Sequence, residues 1–424
     1  MSGKSIRLHY AWVVLLVTFF VLICAAGVRA TPSILILPLE AEFGWSRATI
    51  SLVVTVNLVL YGAMGPFSAA IMQRFGIRRT VLASLILLAA SVLLAAHVKS
   101  PWQLMLAWGL GVGIATGNTA MVLGATIVSR WFERQRGLVM GILTASTATG
   151  QLVFLPLLAW VVEHRGWRTV TFILGAAIAA AVVIVALFLR DHPRNLGLVP
   201  YGADPKSKPP PAAVGNPFSN ALRALQSAAK LRDFWLLSAS FFVCGASTNG
   251  LVGTHLVPAC HDHGIPEVKA AGLLAMMGIF DLIGTTGSGW LSDRFDARKL
   301  LFMYYGVRGL ALLYLPLAFG DQVFGLPFFA MLYGLDWIAT VPPTVKLTTD
   351  AVGPNDAPIV FGWIVAVHQV GAGLGALGAG TIRTMMTTYT PAWISAGSLC
   401  LLTAGLVLFI GRGVVRAAPR PEIA

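Results

Sequence analysis

Four charged side chains and one histidine lie inside long apolar stretches of this sequence: Arg29, Asp281, Arg308, Asp336 and His368. Asp281 belongs to "LLAMMGIFDLIGTTGSGWLSDRF" (273–295), where several uncharged residues precede and follow it. A carboxylate removed from water binds a proton more readily than one in water. Asp281 is therefore a candidate for proton coupling. The alternative is a permanent ion pair with Arg29 or Arg308.

Arg29 and His368 are candidates for binding a substrate. Arg29 lies between "CAAGV" and "ATPSI", and a guanidinium stays charged and can hold a carboxylate through two hydrogen bonds. Its alternatives are a side chain that extends to the membrane surface or an ion pair within the bundle. His368 suits a proton relay or a substrate contact, or it is a buried histidine bonded to backbone. For Arg308 we favour a structural role in an ion pair, with Asp336 as a possible partner.

Uncharged polar residues in apolar stretches could line a cavity or join neighbouring helices by hydrogen bonds. Those considered for substrate binding are Asn118, Gln151, Thr248 and Asn249. "HDH" (261–263) has the look of a metal pair, but no third ligand is near it, so neither a metal nor a cofactor is expected. The glycine runs "GLGVGIATG" (109–117) and "GAGLGALGAG" (371–380) follow no strand and predict close helix packing. We find no spacing that suggests an enzyme.

The elements that carry these residues are membrane helices. Of the 424 residues, 57% are hydrophobic and 11% are charged, whereas a soluble domain has about 25% charged residues. Stretches of about 20 apolar residues recur along the chain, and each can cross a bilayer as a helix. Twelve spans are predicted: 11–39, 48–72, 78–97, 102–129, 136–161, 168–190, 233–259, 268–292, 299–319, 324–350, 358–384 and 391–412.

The sixth and seventh spans are separated by a linker, 191–232, which includes "DPKSKPPPAAVGNP". "FSNALRALQSAAKLRDF", which follows, predicts a short helix on the membrane surface. "QRFGIRRTVL" after the second span parallels "DRFDARKLLF" after the eighth, so the chain contains an internal repeat. We therefore expect a six-helix bundle (1–190), a cytoplasmic linker (191–232) and a second bundle (233–424).

The net charge of +13 is unevenly spread. Lys and Arg concentrate in the loops on the side of the termini and the linker, and the opposite loops have few. This asymmetry predicts a multi-pass protein of the cell membrane with both termini in the cytoplasm. The positive charge is thus explained by topology in a lipid bilayer, and no nucleic-acid partner is expected.

The repeated loop carries a family resemblance. "GWLSDRFDARK" (289–299) resembles the loop signature of the major facilitator superfamily, and "AAIMQRFGIRR" is its first-half copy, with Gln73 where the family usually has Asp. The resemblance implies an all-α fold of twelve transmembrane helices in two six-helix bundles. It also implies a cytoplasmic latch, which here would consist of Arg74, Arg78, Asp293, Arg294 and Arg298.

Other stretches resemble the monocarboxylate transporter and oxalate/formate antiporter group, namely "EFGWSRATIS" (42–51), "HLVPACHDHGI" (255–265), "WIATVPPTVKL" (337–347) and "GWIVAVHQVGAGLGALGAG" (362–380). In that group the first helix carries a basic residue near Arg29, and the eighth helix has an Arg four residues after its Asp. Thr285 stands at that place here, which makes Arg29 the partner of Asp281 to test.

These observations favour a secondary active transporter that works by alternating access as a monomeric unit. We expect a small organic carboxylate as substrate, bound by Arg29 and moved with a proton carried by Asp281. An anion exchanger without net proton movement and an exporter of an amphipathic compound are the alternatives. A sensor or an intramembrane enzyme is disfavoured by the short cytoplasmic segments and the lack of a catalytic constellation.

Overall fold

The chain folds into helices that match the twelve predicted apolar stretches. The computed structural model describes residues 9–204, 216–321, 324–353 and 356–411, without the side chains of 121, 144, 145, 147–149, 151–153 and 217. Within these described ranges, ten helical segments are long and apolar enough to cross a membrane. The fifth and tenth predicted spans are also helical, as Arg136–Arg165 and as the pair Gly325–Asp336 and Val341–Val352.

The N-terminal half contains the first six spans. Its helices are α1 (Tyr10–Ala30), α2 (Pro32–Phe43), α3 (Arg47–Phe75), α4 (Ile77–Ala95), α5 (Pro101–Leu104), α6 (Gly113–Asn118), α7 (Met121–Trp131), α8 (Arg136–Arg165) and α9 (Trp167–Phe188). A wide-turn π-helical segment, Met105–Val112, joins α5 to α6.

The linker and the last six spans follow. A short 3₁₀ turn, Pro193–Leu196, precedes α10 (Pro217–Ala228). The C-terminal half then contains α11 (Arg232–Gly245), a π-helical segment Ala246–Val252, α12 (Gly253–Asp262), α13 (Glu267–Ser292), α14 (Ala297–Ala318), α15 (Gly325–Asp336), α16 (Val341–Val352), α17 (Ala357–Met386) and α18 (Thr390–Val407).

Every third span is interrupted. The first breaks at Thr31, before Pro32, and the fourth has its π-helical segment and an extended residue at Ala120. The seventh span contains the second π-helical segment, and the tenth span is interrupted by a turn between Asp336 and Val341. Interrupted helices leave backbone N–H and C=O groups without intrahelical partners, and transporters use such helices to build substrate and ion sites.

Among the described residues, the most extensive contacts between the two halves are α3 with α17 and α8 with α13, and α2 also packs against α12. The glycine runs pack as predicted. A Cβ on Gly113 would lie 2.9 Å from the carbonyl oxygen of Asn57, and one on Gly373 would lie 3.1 Å from that of Thr55. Glycine therefore allows α6 to approach α3 within the N-terminal half and allows α17 to approach α3 between the halves.

The linker packs against the helical halves through its Tyr201 segment and through its helix. Tyr201 pairs with the loop after α7, where its N–H donates to the carbonyl of Trp131 at 2.8 Å. The predicted short helix is α10, and it packs against α3 and α17. The ring of Phe218 stacks on Phe67 of α3 at 6.0 Å, and Trp363 of α17 donates its indole N–H to the carbonyl of Ala221 at 3.0 Å. The linker helix thus touches both halves.

Candidate functional site

Asp281 lies midway along α13 and is 6% exposed. One of its carboxylate oxygens, Oδ1, accepts two hydrogen bonds. The hydroxyl of Thr285 donates at 2.8 Å, and the backbone N–H of Ile338 donates at 2.9 Å. Ile338 lies in the turn that interrupts the tenth span, so Asp281 supplies a partner for a donor that the broken helix leaves free. Both donors are neutral.

Arg308 holds the other side of the same turn. It is fully buried in α14, and its Nη2 donates to the carbonyl oxygens of Asp336 and Trp337 at 2.7 and 3.3 Å. Its Nε donates to the Asp336 carboxylate at 2.5 Å, which confirms the structural ion pair predicted for Arg308. Ser288 of α13 completes the set, because its hydroxyl donates to the carbonyl of Ala339 at 2.5 Å.

A thiol connects this network to His368. The Nη1 of Arg308 donates to Cys244 Sγ at 2.8 Å, and the hydroxyl of Thr340 lies 3.4 Å from the same sulfur. The half-buried imidazole of His368 also interacts with Cys244, and its ring lies 4.7 Å from that of Phe241. Residues from α11, α13, α14, α17 and the broken tenth span therefore form one buried polar group, which we call the C-half network: Cys244, Asp281, Thr285, Arg308, Asp336, Thr340 and His368.

The charges of the C-half network do not balance. It contains two carboxylates, Asp281 and Asp336, and one guanidinium, Arg308, which is paired with Asp336. With both carboxylates ionised, a charge of about −1 remains in a region away from water, and that is costly. One proton, or one further cation, would neutralise the group.

Arg29 lies in the N-terminal half and does not meet Asp281. Its Nη1 donates to the hydroxyl of Tyr61 at 2.7 Å, and its guanidinium carbon lies 4.9 Å above the Tyr61 ring. Among the described residues, neither Arg29 nor Arg308 forms an ion pair with Asp281. The Arg29–Asp281 pair suggested by the sequence is thus not present in this structure. Thr285, which stands where the resembled family has arginine, binds the carboxylate instead.

Arg29 borders a cavity of about 10 Å³, which is large enough for roughly one water molecule. The cavity is lined by Leu22, Ala25, Ala26, Arg29, Thr116, Thr119 and Ala120. Asn118 lies at the break after α6, is 7% exposed, and has no partner for its Oδ1 among the described residues. A buried amide oxygen in that condition takes its hydrogen bond from water or from a ligand.

Of the other residues predicted to bind substrate, Asn249 and Thr248 are not among the described residues that line the cavity beside Arg29. Asn249 is half-buried in the π-helical segment of the seventh span, next to the fully buried Thr248. The hydroxyl of Thr248 donates to the carbonyl of Cys244 at 2.7 Å, so it serves its own helix. Gln151 lies in α8, and its side chain is outside the part of the chain that the structure describes.

The predicted latch residues make local contacts. Arg78 donates its backbone N–H to Asp191 at 2.8 Å and its side chain to the carbonyl of Ala186. Arg298 pairs with Asp296 at 2.6 Å. The Arg74 guanidinium lies over the Phe75 ring, and that of Arg294 over the Trp290 ring. Asp293 follows the last residue of α13 as its C-terminal cap. None of these contacts joins the two halves, so a latch between the halves stays a prediction.

Sequence reasoning missed several members of the site. Cys244 and Tyr61 accept hydrogen bonds from the predicted charges Arg308 and Arg29. Thr340 contacts Cys244, and Ser288 donates to the carbonyl of Ala339. Each of the four is an ordinary residue within an apolar stretch. One signal could have been used for the tenth span. "GLDWIATVPP" places Pro342 and Pro343 after an otherwise apolar helix, and proline at the first helical positions marks a new start.

Comparison with known proteins gives relatives over the whole chain. Monocarboxylate transporter 13 of Bos taurus is 27% identical over 97% of this chain and 91% of its own length. The uncharacterized MFS-type transporter YcxA of Bacillus subtilis is 26% identical over 93% of both chains.

Solved structures give the same fold. A bacterial homolog of the human lysosomal transporter Spinster, in an inward-facing and occupied conformation, superposes with a TM-score of 0.73 at 16% identity and covers 99% of this chain and 100% of that one. A D-xylose-proton symporter gives a TM-score of 0.70 at 15% identity over 96% and 98% of the two chains.

The family model of the Major Facilitator Superfamily matches residues 17–376. That range covers all but the ends of the chain and includes both repeated loops. With its twelve helical stretches and its whole-length relatives, the chain belongs to the Major Facilitator Superfamily and is a membrane transporter rather than an enzyme.

Proposed function

We propose that this transporter moves a small organic carboxylate together with a proton, by alternating access between its two bundles. The observation that carries the proposal is Asp281. It is a buried carboxylate with two neutral hydrogen-bond donors, in a network whose carboxylates outnumber its guanidinium. A proton on Asp281 would balance that network, and balancing it is a reason for a proton to enter the site.

Asp281 can couple protonation to helix geometry. Its ionised carboxylate accepts the Ile338 N–H at the interruption of the tenth span. A protonated carboxyl is a weaker acceptor than a carboxylate, so adding the proton loosens this bond. Arg308 and Ser288 continue to hold the neighbouring carbonyl groups. We therefore propose that protonation frees one side of the break, so that the tenth span can move during the cycle.

Arg29 is the proposed anchor for the substrate carboxylate. A guanidinium has five N–H donors, and the hydrogen bond to Tyr61 uses one of them. Its charge stays available because no carboxylate among the described residues pairs with it. Asn118, Asn249, Gln151 and His368 are proposed to complete the binding surface, with His368 also relaying protons. The monocarboxylate transporters to which the chain is similar support this substrate class.

The cavity beside Arg29 is too small for a carboxylate of several atoms. Substrate binding therefore requires the halves to separate at one end, as alternating access provides. We propose that the termini and the linker face the cytoplasm, with the bundle of 1–190 and the bundle of 233–424 joined by the linker of 191–232. The functional unit is proposed to be a monomer.

Proton coupling is tested with purified protein in liposomes, by uptake of labelled monocarboxylates under an imposed pH gradient. The expected result is uptake that an inward proton gradient accelerates, and that Asp281→Asn uncouples from the gradient. Asp350→Asn, at the exposed end of α16, is the matched control and should keep the coupling. Gradient-driven uptake by Asp281→Asn equal to that of the parent protein would remove Asp281 as the coupling residue.

Two other functions use the same fold. Thr285 stands where the resembled family has an arginine in α13, so Arg29 is left as the single candidate for binding an anion. With one such residue, the protein could instead exchange anions without net proton movement or export an amphipathic compound. Counterflow without a pH gradient would support exchange. Unchanged transport in Arg29→Ala would support a substrate that is not an anion.

A further inference from the structure

The end of the bundles opposite the linker is held by a group of ion pairs. Arg47, the first residue of α3, is 5% exposed and binds Asp262 of α12 through two parallel hydrogen bonds of 2.8 Å. Arg383 of α17 binds the same carboxylate at 2.7 and 3.2 Å. Arg47 also donates its Nε to Glu40 at 2.9 Å. We call these four residues the distal clamp: Glu40, Arg47, Asp262 and Arg383.

The distal clamp joins the two halves. Glu40 and Arg47 belong to the N-terminal half, whereas Asp262 and Arg383 belong to the C-terminal half. Beneath it, further contacts cross between α3 and the C-terminal half. Arg47 donates to the hydroxyl of Tyr389 at 3.2 Å, and the hydroxyl of Thr55 donates to the carbonyl of Gly373 at 2.7 Å. This end of the transporter is therefore closed by charged and polar contacts.

The charges of the distal clamp divide evenly between the halves. Breaking the Arg47–Asp262 contact would leave Arg47 with Glu40 in one half and Asp262 with Arg383 in the other. Removing one partner from a buried ion pair is costly because the remaining charge loses its compensation. Here each charge keeps an opposite charge after separation. The arrangement therefore suits an ion pair that opens and closes repeatedly. A permanent contact between the halves would not need a second partner for each charge.

We propose that the distal clamp is the gate on the side of the membrane opposite the linker, and that Glu40 and Arg383 are the residues that make its opening reversible. This assignment concerns the moving parts of the transporter and is independent of the substrate or of proton coupling. A cavity of about 550 Å³, lined in part by Glu40, Arg47, His261 and Asp262, gives access to the clamp from that side.

The proposal predicts changes of opposite sign. Asp262→Asn removes the carboxylate that Arg47 binds in the closed gate, so it should favour opening. Glu40→Gln leaves Arg47 without its own partner once the gate opens, so it should favour closure. Arg383→Gln should act like Glu40→Gln, because Asp262 would then be unpaired in the open gate. Glu42→Gln is the matched control, since Glu42 pairs with Arg168 at the same end but within the N-terminal half.

The readout is the labelling rate of a cysteine placed under the clamp by a polar maleimide. Ser51→Cys serves this purpose, because Ser51 is fully buried on α3 one turn below Arg47. The four native cysteines are buried, and protein without Ser51→Cys is labelled in parallel to subtract their contribution. The expected result is a rise of about tenfold for Asp262→Asn, a fall for Glu40→Gln and for Arg383→Gln, and no change for Glu42→Gln.

Melting temperatures recorded on the same samples separate gate opening from general unfolding. Should Asp262→Asn misfold, Glu40→Gln and Arg383→Gln still test the proposal. Labelling rates that are the same for all three variants and the Glu42→Gln control would overturn it. A rise for Glu40→Gln and Arg383→Gln would overturn it as well, because the clamp would then be a strut that any broken pair weakens.

Discussion

The two halves of this transporter share a helical plan but treat buried charge differently. The C-terminal half places Asp281, Arg308 and Asp336 in one hydrogen-bonded network around the break of its tenth span. The N-terminal half has Arg29, which is bonded to Tyr61 and lines a narrow cavity beside the break of the fourth span. The difference suggests a division of work, in which one half binds the proton and the other offers a positive charge to the substrate.

The same comparison can be made at the repeated loops. In the C-terminal half, Asp296 caps the start of α14, and its Oδ1 accepts the backbone N–H of Arg298 at 2.9 Å. The equivalent residue in the N-terminal half is Gly76, and there the carboxylate comes from Asp191, which accepts the N–H of Arg78 at 2.8 Å. A Cβ on Gly76 would lie 2.9 Å from Asp191 Oδ2. Glycine at this position thus leaves space for a carboxylate from another segment, which accepts the backbone N–H at the start of α4 as Asp296 does at the start of α14.

The largest effect is expected from breaking the ion pair of the C-half network. Arg308→Ala would leave the Asp336 carboxylate fully buried and uncompensated, and such a loss costs about 3–5 kcal/mol of stability. The double variant Arg308→Met with Asp336→Leu removes both charges and should recover most of that loss. Thermal unfolding in detergent measures both. A single variant as stable as the parent protein would show that the pair does not hold the tenth span.

An intermediate effect is expected in the N-terminal half. Arg29→Ala removes a charge-assisted hydrogen bond to the proposed substrate carboxylate, worth about 1.5–3 kcal/mol, so the apparent KM for uptake should rise about tenfold or more. Arg29→Lys keeps the charge but loses the bidentate geometry, so its apparent KM should lie between those of the parent protein and Arg29→Ala. The melting temperature should change little in both, because Arg29 is half-buried and bonds to one side chain. A large loss of stability would contradict the division of work between the halves.

The smallest effects are expected at the repeated loops. Asp296→Ala and Asp191→Ala each remove a helix cap worth about 1 kcal/mol. Amide hydrogen exchange should speed up at the start of α14 in the first variant and at the start of α4 in the second. If Asp191→Ala leaves α4 unchanged, the two loops are not equivalent.

The cap at Asp296 also predicts a pH dependence. The hydrogen bond from Arg298 lowers the pKa of Asp296 to about 2, below the value of about 3.9 for an unfolded chain. A lowered pKa stabilises the fold at pH values above the unfolded pKa, and this stabilisation is lost as the pH falls toward 2. The protection factor at the start of α14, which is the ratio of the intrinsic to the observed exchange rate, should therefore be constant above about pH 5 and should fall in more acidic solution, with Asp296→Ala showing no such step.

Much of the fold follows from the sequence. The twelve predicted stretches are helical, the short linker helix is α10, and the glycine runs lie at close helix contacts. These features depend on local hydropathy and on residue size. The pairing of Arg308 with Asp336 was predictable for a related reason, because two opposite charges in apolar stretches must compensate each other and they lie on successive spans.

The distal clamp was not predicted. Arg47 and Arg383 are two of the few basic residues predicted for the loops opposite the termini, and Asp262 is the centre of "HDH". Nothing in the sequence relates Arg47 to Asp262, which lies 215 positions away. The partner of Asp281 was likewise misjudged, since a backbone N–H is present in nearly every residue and only the turn at Ile338 makes it available.

The sequence by itself determined which segments enter the membrane and which charges would be buried there, because the transfer of each segment into lipid depends on its own composition. The tertiary structure decided which of those charges meet. That outcome depends on the rotation of each helix, on where the helices break and on how closely glycine lets them approach. These are properties of packed helices and not of any one segment, so Asp281 came to face a broken helix and Arg29 came to face a tyrosine.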